Sequence, residues 1–88
     1  MKIIKQAILP DINTKVLFIE TTKRHFHVVA MATDQQFYSI SGRNVRRVVG
    51  SFADTIYYYG WRYGAAEGLY RATVREYRKD ARDRAKAA

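Results

Sequence analysis

The apolar residues of this chain change their spacing near Gly42, and that change constrains the fold more than any other feature. Before it they come in short blocks rich in β-branched and aromatic residues, with turn residues between the blocks. After it Val45, Val48, Val49, Phe52, Ile56, Tyr59, Tyr63, Ala66, Tyr70, Val74, Tyr77 and Ala81 step by three or four. At ~100° per residue they hold to one stripe about 100° wide, as an amphipathic helix requires. Strands followed by helix is an α+β arrangement.

In the first half, Ile3 to Leu9 is a short apolar segment that Pro10-Asp11 ends. Proline has no N–H to give a ladder and restricts the residue before it. Lys15 to Thr22, His25 to Thr33 and Phe37 to Ile40 are the next strand candidates. Connections of a few residues imply antiparallel neighbours, because a parallel crossover needs a dozen or more. The expectation is an antiparallel meander of three or four strands over 1–41, with 42–88 helical and the C-terminal tail frayed, all in one small domain.

In the second half, Ser51-Phe52-Ala53-Asp54 is a capping-box pattern behind Gly50. It predicts a short helix over Asn44 to Val49 and a main helix from Ser51. The apolar stripe keeps its phase through Gly60, Gly64 and Gly68. One long helix, with the glycines as points where it can kink, therefore fits better than two helices and a loop. From Ser51 to Lys86 it has 36 residues, or ~54 Å at 1.5 Å per residue. An eight-residue strand reaches only ~26 Å. Such a helix overhangs its sheet, and an apolar overhang calls for a second chain. Gly60, Gly64 and Gly68 fall on one helical line where another backbone can approach. They are the candidate self-association residues of a homodimer, against the alternative that the helix packs tightly on its own sheet.

Of the 88 residues, 16 are Lys or Arg and 8 are Asp or Glu, a net charge of +8. That balance points to an anionic partner. Arg71, Arg75, Arg78 and Arg82 fall at i, i+4, i+7 and i+11, with Lys79 and Lys86 beside them. Arginine's planar fork suits phosphate and carboxylate. Of the four, only Arg71 has an acid four residues before it, Glu67. The competing reading is a solvated face laced with ion pairs. Arg46 and Arg47 add cations near the predicted helix start. Tyr57, Tyr58, Trp61 and Arg62 belong to the densest aromatic stretch, Tyr57 to Tyr63. On a helical wheel these residues spread round several faces, so a sheet on one side buries only some of them. The others suit a base-stacking platform or a protein interface.

The chain has no Cys, which excludes disulfides, thiolate metal sites and Cys nucleophiles. His25 and His27 share one face of a strand and raise acid–base work, as in a small ribonuclease, or two metal ligands. Surface-strand histidines are the plainer account. No P-loop, G-x-S-x-G or HExxH motif is present. No catalytic residue, metal or cofactor is expected. The residues also fit none of the ribbon-helix-helix, helix-turn-helix, zinc-finger or RNA-recognition patterns. No apolar run approaches the ~20 residues of a membrane span, and no signal-peptide segment is visible, so a soluble cytoplasmic protein is expected. The leading expectation is a small basic non-catalytic protein that binds nucleic acid through the Arg face and the aromatic cluster. The alternative is a phage or mobile-element protein that binds and inhibits a host protein, such as an acidic or nucleic-acid-handling one.

Overall fold

The computed structural model describes residues 2–20, 24–34 and 55–87. They form a four-stranded antiparallel sheet followed by one long helix, an α+β fold. The strands are β1 (Lys2–Leu9), β2 (Thr14–Glu20), β3 (Phe26–Ala32) and β4 (Thr55–Gly60), in the spatial order β1-β2-β3-β4. The helix, α1, is Tyr63–Ala87. The expected strand at Phe37 to Ile40 and the expected short helix at Asn44 to Val49 lie outside the described residues, as do Arg46 and Arg47.

The β1–β2 connection follows from its residues. Pro10–Ile12 makes a single 3₁₀ turn, and Asn13 completes it at φ 49° with its N–H donating to the Pro10 carbonyl at 3.1 Å. Asparagine tolerates that left-handed conformation better than most residues. The Thr14 hydroxyl donates to the Ile12 carbonyl at 2.9 Å, and the Thr33 hydroxyl donates to the Asn13 side chain.

The two central strands are buried on both faces, so their apolar residues run consecutively instead of alternating. On one face Val16, Phe18, Phe26 and Val28 pack with Ala7 of β1 and with Ala66, Tyr70 and Val74 of α1. Phe18 is the hub, its ring centroid 6.0 Å from Phe26, 5.3 Å from Tyr63 and 6.0 Å from Tyr70. On the other face Leu17, Ile19, Val29 and Met31 form a second, aliphatic cluster.

The main correction concerns 55–60, which the helical stripe assigns to a helix. They form β4, paired with β3 from Phe26↔Gly60 to Ala30↔Thr55. Thr55-Ile56-Tyr57-Tyr58-Tyr59 is five β-branched or aromatic residues, all poor helix formers and good strand formers. An open edge on β3 satisfies their backbone groups. The helix begins only after Trp61-Arg62, with the Ala66 N–H donating to the Arg62 carbonyl at 3.0 Å.

Three expectations change with it. Gly60 ends a strand, so Gly60, Gly64 and Gly68 do not share a helical line. The helix has 25 residues, about 37 Å rather than ~54 Å. Its last buried residue is Ala81, and the turns beyond it carry Arg82, Asp83, Arg84 and Lys86. The overhang is polar, so length mismatch no longer calls for a second chain. The helix extends to Ala87. No described helix is long and apolar enough to cross a membrane.

Candidate functional site

The helix presents three different sides. Ala66, Tyr70, Val74 and Ala81 face the sheet and are buried. About 110° round from them, at 3.6 residues per turn, come Gly64, Arg71, Arg75, Arg78 and Arg82. This flank looks toward β1, because Glu67 beside it reaches Lys5 of β1 at 3.7 Å. The opposite flank looks toward β4, where the Tyr57 and Tyr77 hydroxyls meet at 2.7 Å.

Between the first flank and β1 lies a groove of about 710 Å³. Leu9, Tyr70, Val74 and Ala81 make its floor, and Lys5, Arg71, Arg75, Arg78 and Arg82 stand round its rim. All four members of the arginine row therefore line one cavity. Glu67 ties down one end, bonding Arg71 at 2.7 Å as well as Lys5. Among the described residues, no carboxylate lies within ion-pair distance of Arg75, Arg78 or Arg82. Like charges three or four residues apart destabilise a helix by a few tenths of a kcal/mol per pair. An anion placed among them would offset that repulsion. Burial raises the Tyr70 phenol pKa, and the Arg78 charge pulls it the other way. The hydroxyl thus stays protonated beside the cationic rim at neutral pH.

β1 is an outer strand of the sheet. A bulge at Ile4, between the pairs Ile3↔Ile19 and Lys5↔Phe18, interrupts it. Beyond the bulge Lys5, Ala7 and Leu9 share the helix side, which is how a strand lysine joins the arginine rim. No local pattern signals this, because which strand edge the helix flanks is a tertiary fact. Lys5 and Leu9 are the groove-lining residues that the sequence pattern does not single out. Lys79 does not line the groove and sits on the outward ridge of the helix.

The aromatic cluster is dispersed rather than gathered. Tyr57 is bulged out of the β3–β4 pairing, between Val28↔Tyr58 and Val29↔Ile56. The bulge lets both Tyr57 and Tyr58 address the helix side. Tyr57 closes on Tyr77, while Tyr58 packs against the core and accepts a hydrogen bond from the Arg62 N–H at 3.2 Å. Tyr59 points to the other face, stacked on His25 at 5.6 Å and edge-on to His27 at 4.7 Å. Trp61, 73% exposed, and Arg62 line a separate small cavity of about 220 Å³. Arginine row and aromatic stretch thus lie along opposite edges of the sheet.

His27 is wholly buried, and neither ring nitrogen has a hydrogen-bond partner among the described residues. Burial, helped by the nearby His25 charge, lowers its pKa to about 4. A closed-in imidazole of that kind has no access to a substrate proton. Among the described residues, no three His, Cys, Asp or Glu side chains come together in a way that would hold a metal ion. Compared with protein-family models, with curated proteins and with solved structures, the chain matches none.

Proposed function

We propose that this chain is a non-catalytic nucleic-acid-binding protein that holds a sugar–phosphate backbone in the groove between β1 and α1. The observation that carries the reading is the set Arg75, Arg78 and Arg82, three guanidinium groups in one groove without carboxylate partners among the described residues. From Arg71 to Arg82 the row covers eleven helical steps, about 16 Å. That is long enough to meet several successive phosphates. Arg71, already engaged by Glu67, and Lys5 mark the end of the row. Trp61 and Arg62, on the opposite edge, are outside this site. Lys79 stands outside the groove, and Arg46 and Arg47 count toward the net charge of +8 that attracts a polyanion.

Each phosphate contact displaces condensed counterions, so log affinity falls with log salt by ~0.7–0.9 per contact. Replacing Arg75, Arg78 and Arg82 together by Gln keeps helix propensity and length. The slope measured against labelled DNA and RNA should then fall by roughly two to three units, with sequence preference unchanged. An unchanged slope refutes the proposal. The alternative, an inhibitor docked on an acidic host protein, uses the same groove. It predicts that the triple variant loses that protein while the wild type holds nucleic acid only weakly.

A further inference from the structure

The groove is built differently from a surface that meets a duplex, and this next step rests on the nucleic-acid reading above. We infer that its occupant is a single strand, with phosphates on the arginine rim and bases on the apolar floor.

Leu9, Val74 and Ala81 lie under the cationic rim. A duplex presents phosphate and sugar outward and keeps the flat faces of its bases stacked inside, so it leaves an apolar floor unused. A single strand offers both surfaces at once, phosphates for the rim and base faces for the floor, as it does where aromatic side chains take the bases beside a basic track.

Extent agrees with this. The groove of about 710 Å³ runs beside ~16 Å of helix from Arg71 to Arg82, which is room for a few nucleotides of one strand laid along the arginine row.

A helix that reads duplex DNA carries its contacts on the ridge that enters the major groove. The outward ridge of α1 carries Gly68, Ala72 and Lys79, flanked by the exposed acids Glu76 and Asp83. Carboxylates there would face phosphates. The arginine row is instead turned aside, toward β1.

The test titrates the wild type at one salt concentration with labelled oligo-dT, oligo-U and a duplex, each of about 12 nucleotides per strand. Both single strands should bind at least ~10-fold more tightly than the duplex, and any difference between oligo-dT and oligo-U then reports the sugar. Leu9→Asn, at the half-exposed end of β1, should weaken single-strand binding ~5-fold at an unchanged salt slope, since it removes base contact and no phosphate contact. Leu9→Met should retain binding, which separates lost apolar contact from misfolding. If the duplex binds as well as or better than the single strands, while Arg75→Gln, Arg78→Gln and Arg82→Gln still flatten the slope, the single-strand inference fails and the nucleic-acid reading stands. If no oligonucleotide binds, both fail.

Discussion

The two edges of the sheet are interrupted in the same way and finished in opposite ways. β1 and β4 each carry one bulge, at Ile4 and at Tyr57. On the β4 side the bulge brings a tyrosine up to the helix, and the Tyr57–Tyr77 hydroxyl pair bridges the gap above a cavity of about 320 Å³ bordered by Glu76 and Asp80. Below the sheet, Tyr59 covers His27. On the β1 side, among the described residues, the one polar side-chain contact that crosses is the Glu67–Lys5 ion pair at 3.7 Å, near the start of the helix. The helix flank carries arginines, and the groove beneath them is more than twice as large. Aromatic residues close one edge, and mutually repelling cations leave the other open. A small fold gains from closing every gap it can. An edge kept open at a cost in repulsion is the one with a reason to be open.

If that contrast is right, perturbing the β4 edge should cost stability, and perturbing the β1 edge should cost binding. The largest stability effect should come from acid. The pKa of His27 is about 4 in the fold against ~6.5 unfolded. A value lowered by folding means that the fold favours the neutral ring. Its contribution is complete above pH ~6.5 and is lost as pH falls through that value toward about 4. Urea unfolding should therefore show a loss of ~2–3 kcal/mol between pH 7 and pH 4 attributable to this residue. His27→Leu, of similar volume and without a titrating group, should flatten that part of the profile. An equally steep profile in the variant would mean that the imidazole is not sealed beneath Tyr59, and the β4 edge would not be closed.

The glycines sharpen the comparison next. A Cβ at Gly60 would stand 2.7 Å from the Tyr58 hydroxyl and 3.0 Å from its ring carbon. Tyr58 is wedged against the core and bonded to the Arg62 N–H, so it has little room to withdraw. Gly60→Ala should cost ~1–3 kcal/mol, as overpacking does. Gly68 has nothing within 4 Å of a built Cβ and sits in the helix interior. Gly68→Ala should stabilise by up to ~1 kcal/mol. Thermal melts of the two variants should move in opposite directions. Two shifts of the same sign would contradict the placement of Gly60 in a strand and Gly68 in a helix.

That placement marks where the sequence was readable and where it was not. β1, β2 and β3 were legible because Pro10 and Asn13 punctuate them locally and β-branched residues fill them. The arginine row was legible because i, i+4, i+7, i+11 is a property of the helix alone. β4 was not, since Ile56, Tyr59 and Tyr63 are spaced by three and four residues and so continue the stripe of a helix that has not yet begun. The strand propensity of Thr55 to Tyr59 carried the contrary signal, but deciding between them needed the free edge of β3. For the same reason the wheel scattered Tyr57, Tyr58 and Tyr59 round a helix. A bulged strand in fact sends two of them to one face and the third to the other. The groove's far wall, Lys5 and Leu9, depends on the side of the sheet along which the helix descends, which no local pattern encodes.

The smallest effect tests the latch itself. Tyr57→Phe removes one hydroxyl from the Tyr57–Tyr77 pair and leaves both rings in their edge-on contact, centroids 6.2 Å apart. A hydrogen bond between exposed hydroxyls contributes ~0.5–1 kcal/mol net, so the variant should lose about that much in urea unfolding. Its nucleic-acid affinity and salt slope should equal those of the wild type, because the pair lies across the helix from the arginine rim. The triple Arg→Gln variant should behave in the reverse way. Its affinity collapses while its stability holds or rises by a few tenths of a kcal/mol per relieved like-charge pair. A Tyr57→Phe protein that loses binding along with stability would show the two edges to be coupled through α1, with closure on the β4 side setting the width of the groove on the β1 side.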